Sequence, residues 1–197
     1  MTVQPIAEYQ PNLRRRATVP FVWLLVCLTV VAGSLAVAIG NAVLAPLTLI
    51  GALVAAAALV DERTGRIPNG LCLAGLVTLV AAMPLVATQD QPLGSVASSV
   101  VAGLLTSGAL ALFLIWLVRP DLIGGGDWKL LVVIGASLGL VSPIASALAA
   151  FVACVAQFVR LTFRRRRSIP FAPSLAVGYA TALVAYPLLT TATGGAL

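Results

Sequence analysis

Histidine is absent from the chain, and acidic side chains number only six among 197 residues. That removes Ser–His–Asp and Cys–His catalysis, together with the commonest zinc ligand. Cys27, Cys72 and Cys154 lie singly inside apolar runs with no Cys-x-x-Cys spacing. They read as small buried apolar residues, not as a metal site or a disulfide framework. Charged residues make up 9% of the chain against 60% hydrophobic ones, and the mean hydropathy is +1.08. A water-soluble domain needs far more polar surface than this to cover its core. Ordinary globular folding in water is therefore excluded, and lipid takes the place of water around most of the chain. The net charge of +6 comes without a basic stripe interleaved with aromatics, so nucleic-acid binding is not expected.

What is present is a series of long apolar runs, at about 20–39, 42–60, 69–88, 95–118, 124–141, 144–163 and 172–193. Each is of a length to cross a bilayer as a helix. Turn chemistry separates them, including Gly40-Asn41, Asp61 to Pro68, Gln89 to Pro92, Arg119 to Gly126, Ser142-Pro143 and Arg160 to Pro170. The expected fold is all-α: a polytopic transmembrane bundle of about seven spans, with a tail at 1–19 and one helical domain at 20–193. The first run follows three arginines and ends in small residues, so it reads either as a span or as a cleaved signal segment.

The basic residues fix the orientation. Arg14, Arg15 and Arg16 lie in the tail, Arg63 and Arg66 in the second connection, and Arg119 and Lys129 in the fourth. Arg160 and Arg164 through Arg167 lie in the sixth, which completes all 12. The intervening connections hold none. By the positive-inside rule the charged face and the N-terminus are cytoplasmic. The break at Ser142-Pro143 is needed for this parity, since one fewer span would place the last arginine cluster outside.

The six acids are Glu8, Asp61, Glu62, Asp90, Asp121 and Asp127. Glu8 lies in the tail and Asp90 in an exterior turn, whereas the other four fall at span ends on the charged face. Asp61 closes the second span, where the negative end of a helix dipole opposes a carboxylate by a few tenths to about 1 kcal/mol. A solvated flank would more naturally carry Lys or Arg there, although Asp-Glu-Arg-Thr-Gly-Arg also reads as a plain polar loop. Asp127 opens a helix and reads on its own as an N-cap. Gly124-Gly125-Gly126 before it costs helix propensity, about 1 kcal/mol per glycine. Such a run suits close approach of another backbone, or simply a flexible turn.

Two spans separate Asp61 from Asp127, which returns both carboxylates to the same face and depth. Packed together in a partly dry setting, two like charges cannot both ionise, so the pair would share one proton. One carboxylate then activates water while the protonated one donates to a scissile carbonyl, which is aspartyl proteolysis.

These residues carry a family resemblance. Asp61-Glu-Arg-Thr-Gly-Arg-Ile67-Pro68-Asn69 resembles the first aspartate motif of type IV prepilin peptidases. Gly124-Gly-Gly126-Asp127-Trp-Lys129-Leu130 resembles their GxGDxKL motif. Ile169-Pro-Phe-Ala-Pro173-Ser-Leu-Ala-Val-Gly178 looks like the proline-containing start of their last conserved span. The resemblance covers the chain from about residue 42 to 193 and implies a helical GxGD aspartyl protease. It implies removal of a short basic leader from a prepilin or pseudopilin precursor at the cytoplasmic face of a bacterial inner membrane. Asp61 and Asp127 would be the catalytic pair, and Gly124 and Gly126 would admit the substrate backbone. No metal or other cofactor is implied. The cytoplasmic Cys-x-x-Cys insertion of the larger, N-methylating members is missing. The chain therefore looks like the short peptidase-only type that serves tight-adherence (Flp-type) pili. The presenilin-like branch carries Tyr-Asp where this chain has Val60-Asp61. Glu62 and Asp121 are the acids expected to attract a basic leader to a basic face. The competing reading is a transporter or divalent-cation protein using Asp61, Glu62, Asp121 and Asp127 as oxygen ligands. Against it, transport sites lie near the bilayer midplane, and no acid occurs in the middle of any run.

Overall fold

A computed structural model describes residues 44–87, 92–118, 125–164 and 170–192. These form six helices: α1 Leu44–Thr64, α2 Asn69–Ala87, α3 Leu93–Val118, α4 Gly125–Gly139, α5 Pro143–Arg164 and α6 Ala172–Ala192. The all-helical expectation holds. The run at 20–39 lies outside the described residues. Four helices (α1, α2, α3 and α5) are long and apolar enough to cross a membrane.

The run read as a span at 124–141 is a helix of only 15 residues. At 1.5 Å per residue that is roughly 22 Å, short of a hydrocarbon core of about 30 Å. Its position explains its length. Helix α4 packs against each of the other five helices, which themselves close a ring in the order α1, α2, α3, α5, α6 and back to α1. From Leu130 to Leu140 every residue of this segment except Val132 is buried. A helix with protein on all sides has no bilayer thickness to match.

The ring is apolar outside and smaller and more polar inside, the reverse of a soluble bundle. Leu73, Val77 and Val80 of α2, Leu105 of α3 and Phe151 and Phe158 of α5 are exposed, while Ser107, Ser137, Ser146 and Ser174 are fully buried. Lipid supplies no hydrophobic force between helices, so close packing of small residues must hold them together. Helices α3 and α4 meet through Gly103, Gly135 and Gly139. A Cβ on Gly103 would run into the Gly139 backbone, and one on Gly139 would lie 2.7 Å from the Ser99 carbonyl. The Ser146 hydroxyl donates to the Gly135 carbonyl at 3.0 Å, tying α5 to the same seam. Helix α6 is fastened to α1 by the fully buried Tyr179, whose hydroxyl donates to the Leu47 carbonyl at 2.7 Å.

The break at Ser142-Pro143 is real and locally encoded. Leu140, Val141 and Ser142 turn back with amide bonds to Ser137 and Leu138. The Ser142 hydroxyl then accepts from the Ile144 amide at 3.1 Å, and Pro143 occupies the first helical position. A Ser N-cap followed by Pro at N1 is a strong helix start.

Candidate active site

The segment from Asp61 to Thr64 is the last turn of α1, so the polar-loop reading of it does not hold. Gly65 ends the helix with φ of +67°, its amide donating to the Asp61 carbonyl at 2.7 Å. This left-handed residue is the ordinary glycine helix stop. Thr64 fixes the next step, its hydroxyl donating to the Val60 carbonyl at 2.8 Å and accepting from the Arg66 amide at 3.3 Å. The chain then passes through Ile67 and Pro68 into α2.

Asp61 is only 6% exposed. A carboxylate buried at a helix C-terminus is doubly disfavoured, by dehydration and by the dipole. The compensation comes from the last helix. The backbone of Ala172, the first residue of α6, lies against the Asp61 carboxylate and favours its charge. The positive end of α6 thus faces the acid that the negative end of α1 opposes. Phe171, Ala172, Pro173 and Ser174 are all buried there. Oδ2 of Asp61 has no hydrogen-bond partner among the described residues, although it is buried.

Asp127 is 9% exposed and lies in the first turn of α4, with Gly125 and Gly126 already helical before it. It is therefore not the N-cap expected from sequence, although the first turn favours a carboxylate for the same dipolar reason. Gly124 lies outside the described residues. Gly126 has a neighbour: a Cβ there would meet the Ile67 side chain at 3.3–3.5 Å, whereas Gly125 faces open space.

Two contacts join the aspartate motifs. Ile67 sits against Gly126, and Lys129 donates to the Asn69 side-chain carbonyl at 2.8 Å across 60 positions of sequence. Helices α1 and α4 pack directly, and Gly75 of α2 faces Val133 of α4 in close contact. Asp61 and Asp127 thus stand on adjoining helices at the same end of the bundle. The sequence left the role of Lys129 open; here it ties α4 to the start of α2.

The same end holds a third set of residues that sequence reasoning counted only as charge. Arg160, near the end of α5, pairs with Glu62 at 3.2 Å, the two side chains being 15% and 8% exposed. Glu62 is therefore engaged and does not stand free to attract a basic leader; Asp121 lies outside the described residues. No sequence period marks this pair, whose members are 98 positions apart. Among the described residues no group of three or more His, Cys, Asp or Glu side chains converges as a metal centre would. Cys72 and Cys154 are free thiols.

Comparison with known proteins accords with this arrangement. No curated protein and no solved structure matches the chain. A family model does: that of the type IV leader peptidase family matches residues 47–159, more than half of the chain and both aspartate motifs. The chain, a multi-pass membrane protein with buried acids on adjoining helices, belongs to the type IV leader peptidase family, a family of proteases.

Proposed function

We propose that the protein is an aspartyl endopeptidase that removes the short basic leader from a prepilin-like precursor at the cytoplasmic face of a bacterial inner membrane. Asp61 and Asp127 are its catalytic pair. The observation that carries this reading is the union of the two motifs: acids remote in sequence are both buried, on packed helices, beside the Lys129–Asn69 and Gly126–Ile67 contacts. All the described Lys, Arg, Asp and Glu residues lie at this same end, which supports a cytoplasmic site by the positive-inside rule.

The chemistry follows from two carboxyls sharing one proton. The ionised carboxylate takes a proton from water as the hydroxyl adds to the scissile carbonyl carbon. The protonated one gives its proton to the carbonyl oxygen, and a tetrahedral diol results. The proton held by the first acid then passes to the amide nitrogen as the C–N bond breaks, while the second carboxylate takes back a proton from a diol hydroxyl; this leaves an acid and an amine and restores the pair. The unpartnered Oδ2 of Asp61 is the oxygen available to water or to the diol. Gly125, exposed and facing open space, leaves room for an extended substrate backbone beside Asp127. No step calls for a cofactor. The sequence lacks the Cys-x-x-Cys insertion of the larger, N-methylating members, and the activity proposed is the peptidase one.

Co-expression with a pilin-like precursor tests this, product size being compared for wild type, Asp61→Asn and Asp127→Asn. Each substitution keeps the shape and removes half of the acid–base pair, so both should leave the precursor uncut while the protein still inserts. Normal processing by either variant would overturn the assignment.

A further inference from the structure

The polar network behind Asp61 has a structure that topology alone does not require. Arg160 donates from Nη2 to Glu62 on α1, and from Nη1 to the Pro170 carbonyl at 3.1 Å and the Ser174 hydroxyl at 3.3 Å. Ser174 in turn donates to Oε1 of Gln157 at 2.8 Å. Gln157 and Arg160 are three residues apart on α5 and so share a face. One guanidinium thus reaches the last turn of α1, the strap before α6 and the first turn of α6. Ser174 is fully buried and Gln157 6% exposed, so this is an internal network and not a solvated rim. A residue serving only as a positive-inside determinant would extend to water or lipid headgroups.

What the network holds is the α6 N-terminus. Residues 170 to 174, gripped through Pro170 and Ser174, include Ala172, whose backbone lies against Asp61. Among the described residues, Arg160 and Glu62 are charged side chains near enough to act on Asp61. We infer that Arg160 is a positioning residue of the protease: it clamps the start of the last helix so that the α6 N-terminus stays beside Asp61, with Glu62 serving to neutralise and orient the clamp. Arginine suits this task because a rigid fork can serve several acceptors at once, which a lysine ammonium does less well. The catalytic consequence rests on the function proposed above; the structural one does not.

The test uses full-length protein in lipid nanodiscs. Arg160→Gln alone leaves Glu62 buried without its partner and invites misfolding. The informative variant is therefore Glu62→Gln with Arg160→Gln, which is neutral, isosteric at position 62 and shorter at position 160, and lacks the charged fork. Hydrogen exchange is followed on the peptide covering residues 170–176, where two prolines leave few amides and Ala172 is prominent. In the double variant that peptide should exchange roughly tenfold faster, with peptides of α4 unchanged. Leader cleavage should lose kcat on the order of 100-fold at constant KM, the usual effect of a catalytic group slightly misplaced. Arg160→Lys should recover part of both. The inference is overturned if exchange at 170–176 is unchanged, if α4 loosens equally, or if the double variant cleaves at the wild-type rate. Faster exchange confined to 170–176, in a protein whose wild type cuts no leader, would uphold the clamp and sink the peptidase reading instead.

Discussion

The two ends of the bundle are closed by different means. At the uncharged end, α4 turns into α5 through amide bonds to Ser137 and Leu138 and the Ser142 cap, all between residues a few positions apart. At the charged end the joints run between distant segments: Lys129 to Asn69 across 60 positions and Arg160 to Glu62 across 98. Local bonds keep a hairpin shut and form early at little cost in loop entropy. Long-range polar bonds at a membrane edge are expensive to assemble and weak as a source of stability. Neutral long-range bonds also reach the α4–α5 turn, from Tyr186 to the Val141 carbonyl and from Thr106 to the Pro143 carbonyl. Those made by charged side chains lie, among the described residues, around the two buried acids, which marks that end as the place where geometry matters more than stability.

Breaking the charged end should therefore cost activity, and breaking the other end only stability. The largest expected effect is from Asp61→Asn or Asp127→Asn, each lowering kcat by about 10³-fold or more. Residues that act as one unit are strongly non-additive, so the double variant should be scarcely worse than either single in the same cleavage assay. Next is the central seam. Gly103→Ala places a methyl against the Gly139 and Gly135 backbones, which cannot move aside, and should reduce the yield of folded protein severalfold in detergent chromatography. Lys129→Met removes the link between α4 and the start of α2; a loss in kcat/KM of roughly tenfold is expected from steady-state kinetics, with folding retained. At the small end, Ser142→Ala removes a cap worth about 1 kcal/mol, and should lower the melting temperature without changing cleavage. EDTA should leave cleavage intact; loss of activity would favour the cation-binding alternative.

How legible this was from sequence differs by feature, for physical reasons. Charge parity and turn residues gave the Ser142-Pro143 break and brought both aspartate motifs to one end, because topology in a bilayer is written in local composition. The central place of α4 was not legible. Lipid and protein interior are equally apolar, so a helix enclosed by five others looks in composition like one facing lipid. The signal that marks it is the spacing of Gly135 and Gly139, a small-residue seam within an otherwise ordinary apolar run. The Asp127 cap was misplaced because Gly125 and Gly126, poor helix formers, are nevertheless held in the first turn, with Ile67 packed on one of them. The pairing of Arg160 with Glu62 was not legible, because nothing local distinguishes a paired charge from a solvated one.

The convergence of the two acids can be read without any substrate. With Cys27, Cys72 and Cys154 replaced by alanine, Asp61→Cys and Asp127→Cys are introduced together and treated in membranes with a short thiol-specific cross-linker. An Asn69→Cys and Lys129→Cys pair serves as the near control. The expected result is an intramolecular link in the 61/127 protein as efficient as in the control. Efficient linking of the control with none between positions 61 and 127 would contradict a shared active centre.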